Sequence, residues 1–290
     1  MVFDVVCIGH LAKDRIVRGS EEYEAPGGAC YYGSFVLRAL GLRVAVVTRL
    51  AREDLPLFEE LDSIGVSLFP VQVPETSGIE NIHPDPDSDR RICRPRGFAG
   101  GFRAEDLPPG IEARLFYLGP IMPGEVPLDF LRHVASLGPV ALDVQGILRR
   151  LRDGELVIAP REDQGEYLKL ATYLKADDVE AKALSGVSSL EDAAPLIAAQ
   201  GPREVVLTHR EGVLVLADGE FHRFPFKPRS LAGRTGRGDT CFSAYLGRRL
   251  LGDPPREAAR FAAALTTLKL ERPGPFRGSL EEVTRLLASP

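Results

Sequence analysis

Gly233-Arg234-Thr235-Gly236-Arg237-Gly238-Asp239-Thr240, continued by CFSAYLGRRLL to position 251, is the stretch on which the fold turns. Its glycines allow backbone N–H groups to point inward, and the residues from Asp239 onward carry apolar side chains at helical spacing. N–H groups at a helix start lack partners within the helix, so with the helix dipole behind them they form a seat for a phosphate or a developing anion. A carboxylate in the first turn of such a helix has two readings. It caps the helix, as acids there commonly do, or it takes a proton from something bound at the turn. Spacing alone leaves both open. A Walker P-loop is absent, since G-x-x-x-x-G-K-[ST] is not found, and an Arg237-Gly238-Asp239 tripeptide that opens a helix is a poor adhesion motif.

Outward from this turn the chain alternates. VFDVVCIG (2–9), RVAVVT (43–48), VSLFPV (66–71), RLFYLG (114–119) and PVALDV (139–144) read as strands. The segment from Gly27-Gly28 to Leu40, LPLFEELDSIG (55–65) and PLDFLRHVASLG (127–138) read as the helices between them. Short apolar strands alternating with helices predict parallel βαβ units, a sheet covered on both faces, and ligands beyond the carboxyl ends of the strands. EVVLTH (204–209) and GVLVLADGEFHRF (212–224) follow, with Asp218-Gly219 as a hairpin turn. Residues 239–251, 255–270 and 279–288 carry three consecutive helical patterns. Two stretches break the rhythm, about 14–26 and 72–106, rich in Pro, Asp, Gly and Arg. They make either a small β-rich flap over the ligand crevice or two solvated loops. Apart from them, residues 1–290 read as one domain.

Composition narrows the classes. In 290 residues, 44% hydrophobic and 27% charged, a sizeable core is available and disordered or fibrous chains are excluded. A net charge of -5 gives no basic field for nucleic acid. No stretch approaches the ~18 apolar residues of a membrane span, and MVFDVVCIGH lacks the pattern of a signal peptide, so a soluble cytoplasmic protein without membrane partners is expected. Cys7, Cys30, Cys93 and Cys241 show no C-x-x-C spacing and are expected as reduced thiols, mostly buried. His10, His83 and His209 have no metal-ligand spacing.

TGRGDTCFSAYL resembles the carboxyl-terminal T-G-A-G-D-x-F signature of the ribokinase-like, or PfkB, carbohydrate kinases. Asp14, Pro26-Gly27-Gly28 before the first helix, Lys175-Ala176-Asp177-Asp178-Val179-Glu180, and Thr208 after its strand resemble further landmarks of that family in the same order. The resemblance spans essentially the whole chain. It implies an α/β fold, a doubly wound αβα ribokinase-like domain with a small β-sheet lid, and phosphoryl transfer from ATP to a hydroxyl of a small sugar or polyol. Asp239 would be the catalytic base, and Gly236, Arg237 and Gly238 the anion hole. Thr208 and Lys175 would lie at the nucleotide. Asp177 and Glu180, where the family has N-x-x-E, would hold Mg²⁺ through water. Asp14 would bind substrate hydroxyls, while Gly27 and Gly28 would let the ligand approach the backbone. Asp143 to Arg149 and LKADDVEA also resemble segments of myo-inositol kinases, which adds Gln145 and Arg149 to the substrate-binding set.

Without the resemblance, Asp177 and Glu180 read as two carboxylates on an exposed helix face. Lys175 meets a phosphate or is solvated, and Arg149 clamps a phosphate or forms a surface salt bridge. Arg237 replaces a small residue of the family and either assists the phosphoryl oxygens or points to solvent, solvent being the nearer expectation. Gly233 stands where potassium-activated members carry Asp, so no monovalent cation requirement is expected. Arg210 replaces a glycine near the nucleotide, and Tyr31 and Tyr32 replace Lys and Asn of ribokinases proper, which turns the reading away from ribose. A nucleoside or sugar-acid kinase, or a non-catalytic ligand sensor on the same scaffold, remain as alternatives. An open lid sheet needs cover, and a homodimer through the lid supplies it.

Overall fold

The computed structural model describes residues 1–83 and 92–288. In chain order its first strands are β1 (Val2–Ile8), β2 (Ala12–Arg18), β3 (Glu21–Gly27), β4 (Val44–Leu50), β5 (Ser67–Gln72), β6 (Ile79–His83) and β7 (Ile92–Pro95). The others are β8 (Glu112–Leu118), β9 (Val140–Asp143), β10 (Arg149–Arg152), β11 (Glu155–Ile158), β12 (Tyr173–Asp177), β13 (Glu204–His209), β14 (Gly212–Ala217) and β15 (Glu220–Pro225).

Nine of them form the main sheet in the order β15-β14-β13-β12-β9-β8-β1-β4-β5. From β13 to β5 every pair is parallel, and β14 and β15 add an antiparallel edge. The strands are apolar on both sides because both faces are covered: Val5 and Cys7 of β1 enter one core, Val6 and Ile8 the other. Helices Ala29–Ala39, Arg237–Leu250, Pro255–Leu270 and Leu280–Ala288 cover the first face. Helices Leu128–Leu137, Asp178–Ser185 and Leu190–Ala198 cover the second. The order of winding reverses at β1, whose neighbours are β4 and β8, and a doubly wound sheet opens its ligand crevice at that point.

The two irregular stretches do pair. β2 and β3 form an antiparallel hairpin, β2 runs parallel to β6, and β6 turns antiparallel onto β7, giving a four-stranded lid in the order β3-β2-β6-β7. Of the stretch expected over 72–106, residues 84–91 lie outside the described residues. A hairpin the sequence reading passed over, β10–β11, extends the lid beyond β7, and its turn holds Asp153 and Gly154 at φ 50° and 80°. Asp218 and Gly219 at 52° and 80° repeat this turn in the β14–β15 hairpin, as a two-residue loop with both φ positive requires. Ala12, Ile79, Cys93, Ile121, Met122 and Leu156 form a small apolar cluster that fastens the lid to the main body.

Two helix boundaries differ from the periodicity reading. The span 55–65 is a 3-10 helix, Arg52–Phe58, followed by one α-helical turn, Glu59–Ser63, because Pro56 removes a donor from its middle. The helix after the glycine turn starts at Arg237, so Asp239 is its third residue and not its first. All four cysteines are buried thiols. Among the described residues no helix is long and apolar enough to cross a membrane.

Candidate active site

A cavity of about 330 Å³ lies beyond the carboxyl ends of the main-sheet strands and under the lid. One side of it is the mouth of helix Arg237–Leu250. Gly236 caps that helix at φ 77°, ψ 15°, a left-handed conformation, and a Cβ there would strike the ring of Tyr32. A Cβ on Gly238 would meet Lys175 Cε at 2.9 Å and Nζ at 3.2 Å. The glycines therefore permit close packing from both sides of the helix mouth, where Arg237 N donates to Arg234 O at 3.3 Å. Gly236, Arg237, Gly238 and Asp239 all line it. Arg237 is half-buried at the cavity wall, against the expectation that it turns fully to solvent, because helix position one faces the opening.

Lys175 is not solvated. It is buried on β12, 3.0 Å from Asp143 and 3.6 Å from Glu180. Burial opposes its charge, but the Asp143 and Glu180 carboxylates outweigh that and hold the ammonium charged well above its ordinary range. Burial, with the Asp177 charge adding to it, pushes Glu180 well up, and Asp143 is the nearer of the two acids to Lys175. A fixed cation thus sits directly beneath the glycine turn, where it adds to the helix dipole. Parallel pairing sets Asp177 opposite Thr208, and both reach the cavity with Arg210, which is exposed at its rim.

Asp177 and Glu180 are not two acids on an exposed face. Asp177 caps helix Asp178–Ser185 by accepting from Glu180 N at 2.8 Å, and Glu180 accepts from Asp177 N at 2.7 Å, a reciprocal capping box. Glu180 is fully buried, off the cavity wall, with Oε1 lacking a hydrogen-bond partner. Among the described residues no three metal-ligating side chains converge. This donor set does not cage a cation by itself. It does fit Mg²⁺, which keeps water and is commonly held by one or two carboxylates together with substrate phosphates: Asp177 and Asp178 face the cavity, and Glu180 brings an unsatisfied oxygen from behind.

The acceptor side is assembled from distant segments. Asp14, on lid strand β2, is buried and accepts from Ile79 N at 2.9 Å. Gly27 lies off the cavity, since its missing side chain makes room for the Asp14 carboxylate and not for a ligand. Gly28 lines the cavity at φ 98°, its missing Cβ making room for the His10 carbonyl. Gln145 and Arg149 also line the wall. Arg149 is buried and donates to Ile121 O at 2.5 Å, so it is not a surface side chain.

Sequence reading missed several wall residues. Asn81, the chain's single asparagine, is buried on β6 facing the cavity, and its rarity was the one signal available. Arg234, within the glycine turn, and Ile79 and Ile121, under the lid, also contribute. Behind Ile121, buried Glu125 accepts from His10 N at 2.7 Å, Ile121 N at 2.8 Å and Met122 N at 2.9 Å. Burial pushes its carboxyl up to about 7. His10, pushed down to about 3 by burial, stays neutral and shares a 2.7 Å hydrogen bond with Ser77. This network pins the loop whose Ile121 carbonyl receives Arg149, and no sequence spacing announces it.

Residues 2–282 match the pfkB family of carbohydrate kinases. Among solved structures, a pyrophosphate-dependent kinase of the ribokinase family in complex with sulfate is 34% identical, with a TM-score of 0.89, over 97% of this chain and 99% of that one. A pyrophosphate-dependent kinase of that family complexed with a pyrophosphate analogue and myo-inositol is 32% identical, TM-score 0.89, with the same coverage. A cytidine kinase of Thermococcus kodakarensis is 27% identical over 89% of this chain and 93% of its own length.

Proposed function

This chain belongs to the pfkB family of carbohydrate kinases, and we propose that it transfers a phosphoryl group from inorganic pyrophosphate to a hydroxyl of a cyclic polyol of the myo-inositol kind. One observation carries the reading: Asp239 and the inward amides of its turn open onto one cavity, with Arg210 and Arg237 over the donor side and buried Lys175 beneath it. Apart from Val179, the donor-side wall around Asp177, Thr208 and the turn is polar or glycine, which suits a compact, highly charged diphosphate better than a purine. The pyrophosphate-dependent relatives point the same way. ATP, the donor implied by the family signature, is the competing one.

In the reaction the acceptor oxygen forms a bond to one phosphorus while the bridging P–O bond breaks, and orthophosphate leaves. Asp239 takes the hydroxyl proton, a step worth about 10²- to 10⁴-fold. The Gly236 and Gly238 amides hold charge on the transferring oxygens, Arg237 N being taken by Arg234 O, and their position in the same turn as the base fixes both groups together. Asp14, Asn81 and Gln145 supply acceptors and donors for a ring of hydroxyls, and the apolar underside of the lid excludes water. Mg²⁺ held near Asp177, Asp178 and Glu180 would neutralise phosphate charge.

A nucleoside acceptor is the second reading, supported by a side cavity of about 180 Å³ next to Asp14, walled by Tyr23, Pro26, Tyr31, Tyr32 and Pro275, which offers a base an apolar slot. Incubation with pyrophosphate or ATP and a panel of polyols, sugars, sugar acids and nucleosides, followed by phosphorus NMR, tests the assignment. Formation of a polyol monophosphate and orthophosphate from pyrophosphate is the expected result. Selective use of ATP with a nucleoside overturns it, and ligand binding without any product identifies a sensor. Pairing of lid edges in a homodimer remains part of the proposal, and mass in solution checks it.

A further inference from the structure

Lys269 lies in the last turn of helix Pro255–Leu270, far from the glycine signature in sequence and unassigned by the reading above. It is 2% exposed. Its ammonium donates to the carbonyl oxygens of both Gly233 and Thr235, and sits 5.5 Å from the centre of the Tyr32 ring. The same helix end grips the turn a second time, with Gly233 N donating to Leu270 O at 2.8 Å. No side chain fits at position 233, because a Cβ would overlap the Arg272 carbonyl. Two carbonyls converging in a buried place require a donor or a cation between them, and Lys269 is that group.

We propose that Lys269 is a positioning residue for phosphoryl transfer: its ammonium holds the Gly233 and Thr235 carbonyls on the outer side of the turn and thereby aims the turn's amides at the anion. The geometry follows from the peptide unit. In a trans peptide C=O and N–H point opposite ways, so drawing Thr235 O toward Lys269 directs the N–H of Gly236 to the other side, where the cavity lies. Drawing Gly233 O does the same for the N–H of Arg234. While it is charged, this covalently tethered ammonium fills the place a dissolved cation would otherwise take between the two carbonyls.

The charge of Lys269 is not secure at every pH. Burial pushes it down to about 8; the Asp239 carboxylate opposes that, and Arg237, on the same helix as Asp239, reinforces it. Tyr32 contributes its ring face from helix Ala29–Ala39. Deprotonation removes the charge and one of the three N–H donors, so the clamp weakens as pH rises through about 8 and turnover falls on the alkaline side.

This inference deepens the proposed kinase function, and two readouts keep it separable. With the donor and acceptor that the wild type turns over, Lys269→Met should lower kcat about 10- to 100-fold, leave the acceptor KM within about twofold, and abolish the alkaline limb. Lys269→Arg, whose guanidinium does not titrate, should regain activity and lose the limb. Pyrophosphate binding by calorimetry reads the turn even in a chain that transfers nothing, and Lys269→Met should weaken it about tenfold. Normal kcat and normal pyrophosphate affinity in a folded Lys269→Met chain overturn the proposal. If that variant does not fold, persistence of the alkaline limb near pH 8 in Lys269→Arg overturns it.

Discussion

The two sides of the cavity are built in opposite ways. The donor side centres on one uninterrupted turn, Arg234 to Asp239, joined by Asp177, Thr208 and Arg210 and backed by buried lysines at Lys175 and Lys269. The acceptor side gathers Asp14, Ile79, Asn81, Ile121, Gln145 and Arg149 from the lid and from loops after separate strands. A diphosphate presents the same charge and tetrahedral oxygens wherever it binds, so one rigid backbone feature with buried cations suffices. A polyol is recognised by the arrangement of its hydroxyls, and only side chains arriving from several directions can match that.

Substitutions that separate chemistry from recognition test this contrast. Asp239→Asn should lower kcat about a hundredfold to ten-thousandfold with little change in either KM, measured in the donor–acceptor pair used by the wild type. A comparable rise in both KM values in place of the kcat loss would place Asp239 in binding. Lys175→Met should act on the whole molecule, because it leaves Asp143 buried without its cation; a loss of about 3 to 5 kcal/mol in urea unfolding is expected. A melt like that of the wild type would show that Asp143 takes up a proton or finds another partner.

The smallest effects sharpen the boundary between the two sides. Arg210→Ala should raise the donor KM about five- to tenfold, since an exposed guanidinium contributes less than a buried one, and leave the acceptor KM alone. Asn81→Ala should do the reverse, raising the acceptor KM by a similar factor. Were either variant to move both KM values equally, the two sides would form one binding unit.

Glu125 shows how far the acceptor side depends on groups that touch no ligand. Three backbone N–H bonds fix its carboxylate beneath the loop carrying Ile121, and that loop receives Arg149. Among the described residues, the donor turn has supports from β12 and from the end of helix Pro255–Leu270.

The alternation of short apolar strands with helices was legible in the sequence because both faces of a parallel sheet are covered, which writes itself as continuous apolar runs. The glycine turn and Asp239 were legible too, since their geometry is local and only glycine adopts it without strain. Hairpin β10–β11 escaped notice because its four-residue strands, RRLR and ELVI, gain stability from the lid they join and not from their own pattern. Tertiary structure alone decided that Lys175 is a buried partner of Asp143, that Gly27 serves Asp14, that Asn81 faces the cavity, and that Lys269 grips a turn 34 residues away. Charge pairs and wall residues of this kind are set by which strand ends become neighbours. That adjacency is a property of the folded sheet, and no spacing along the chain encodes it.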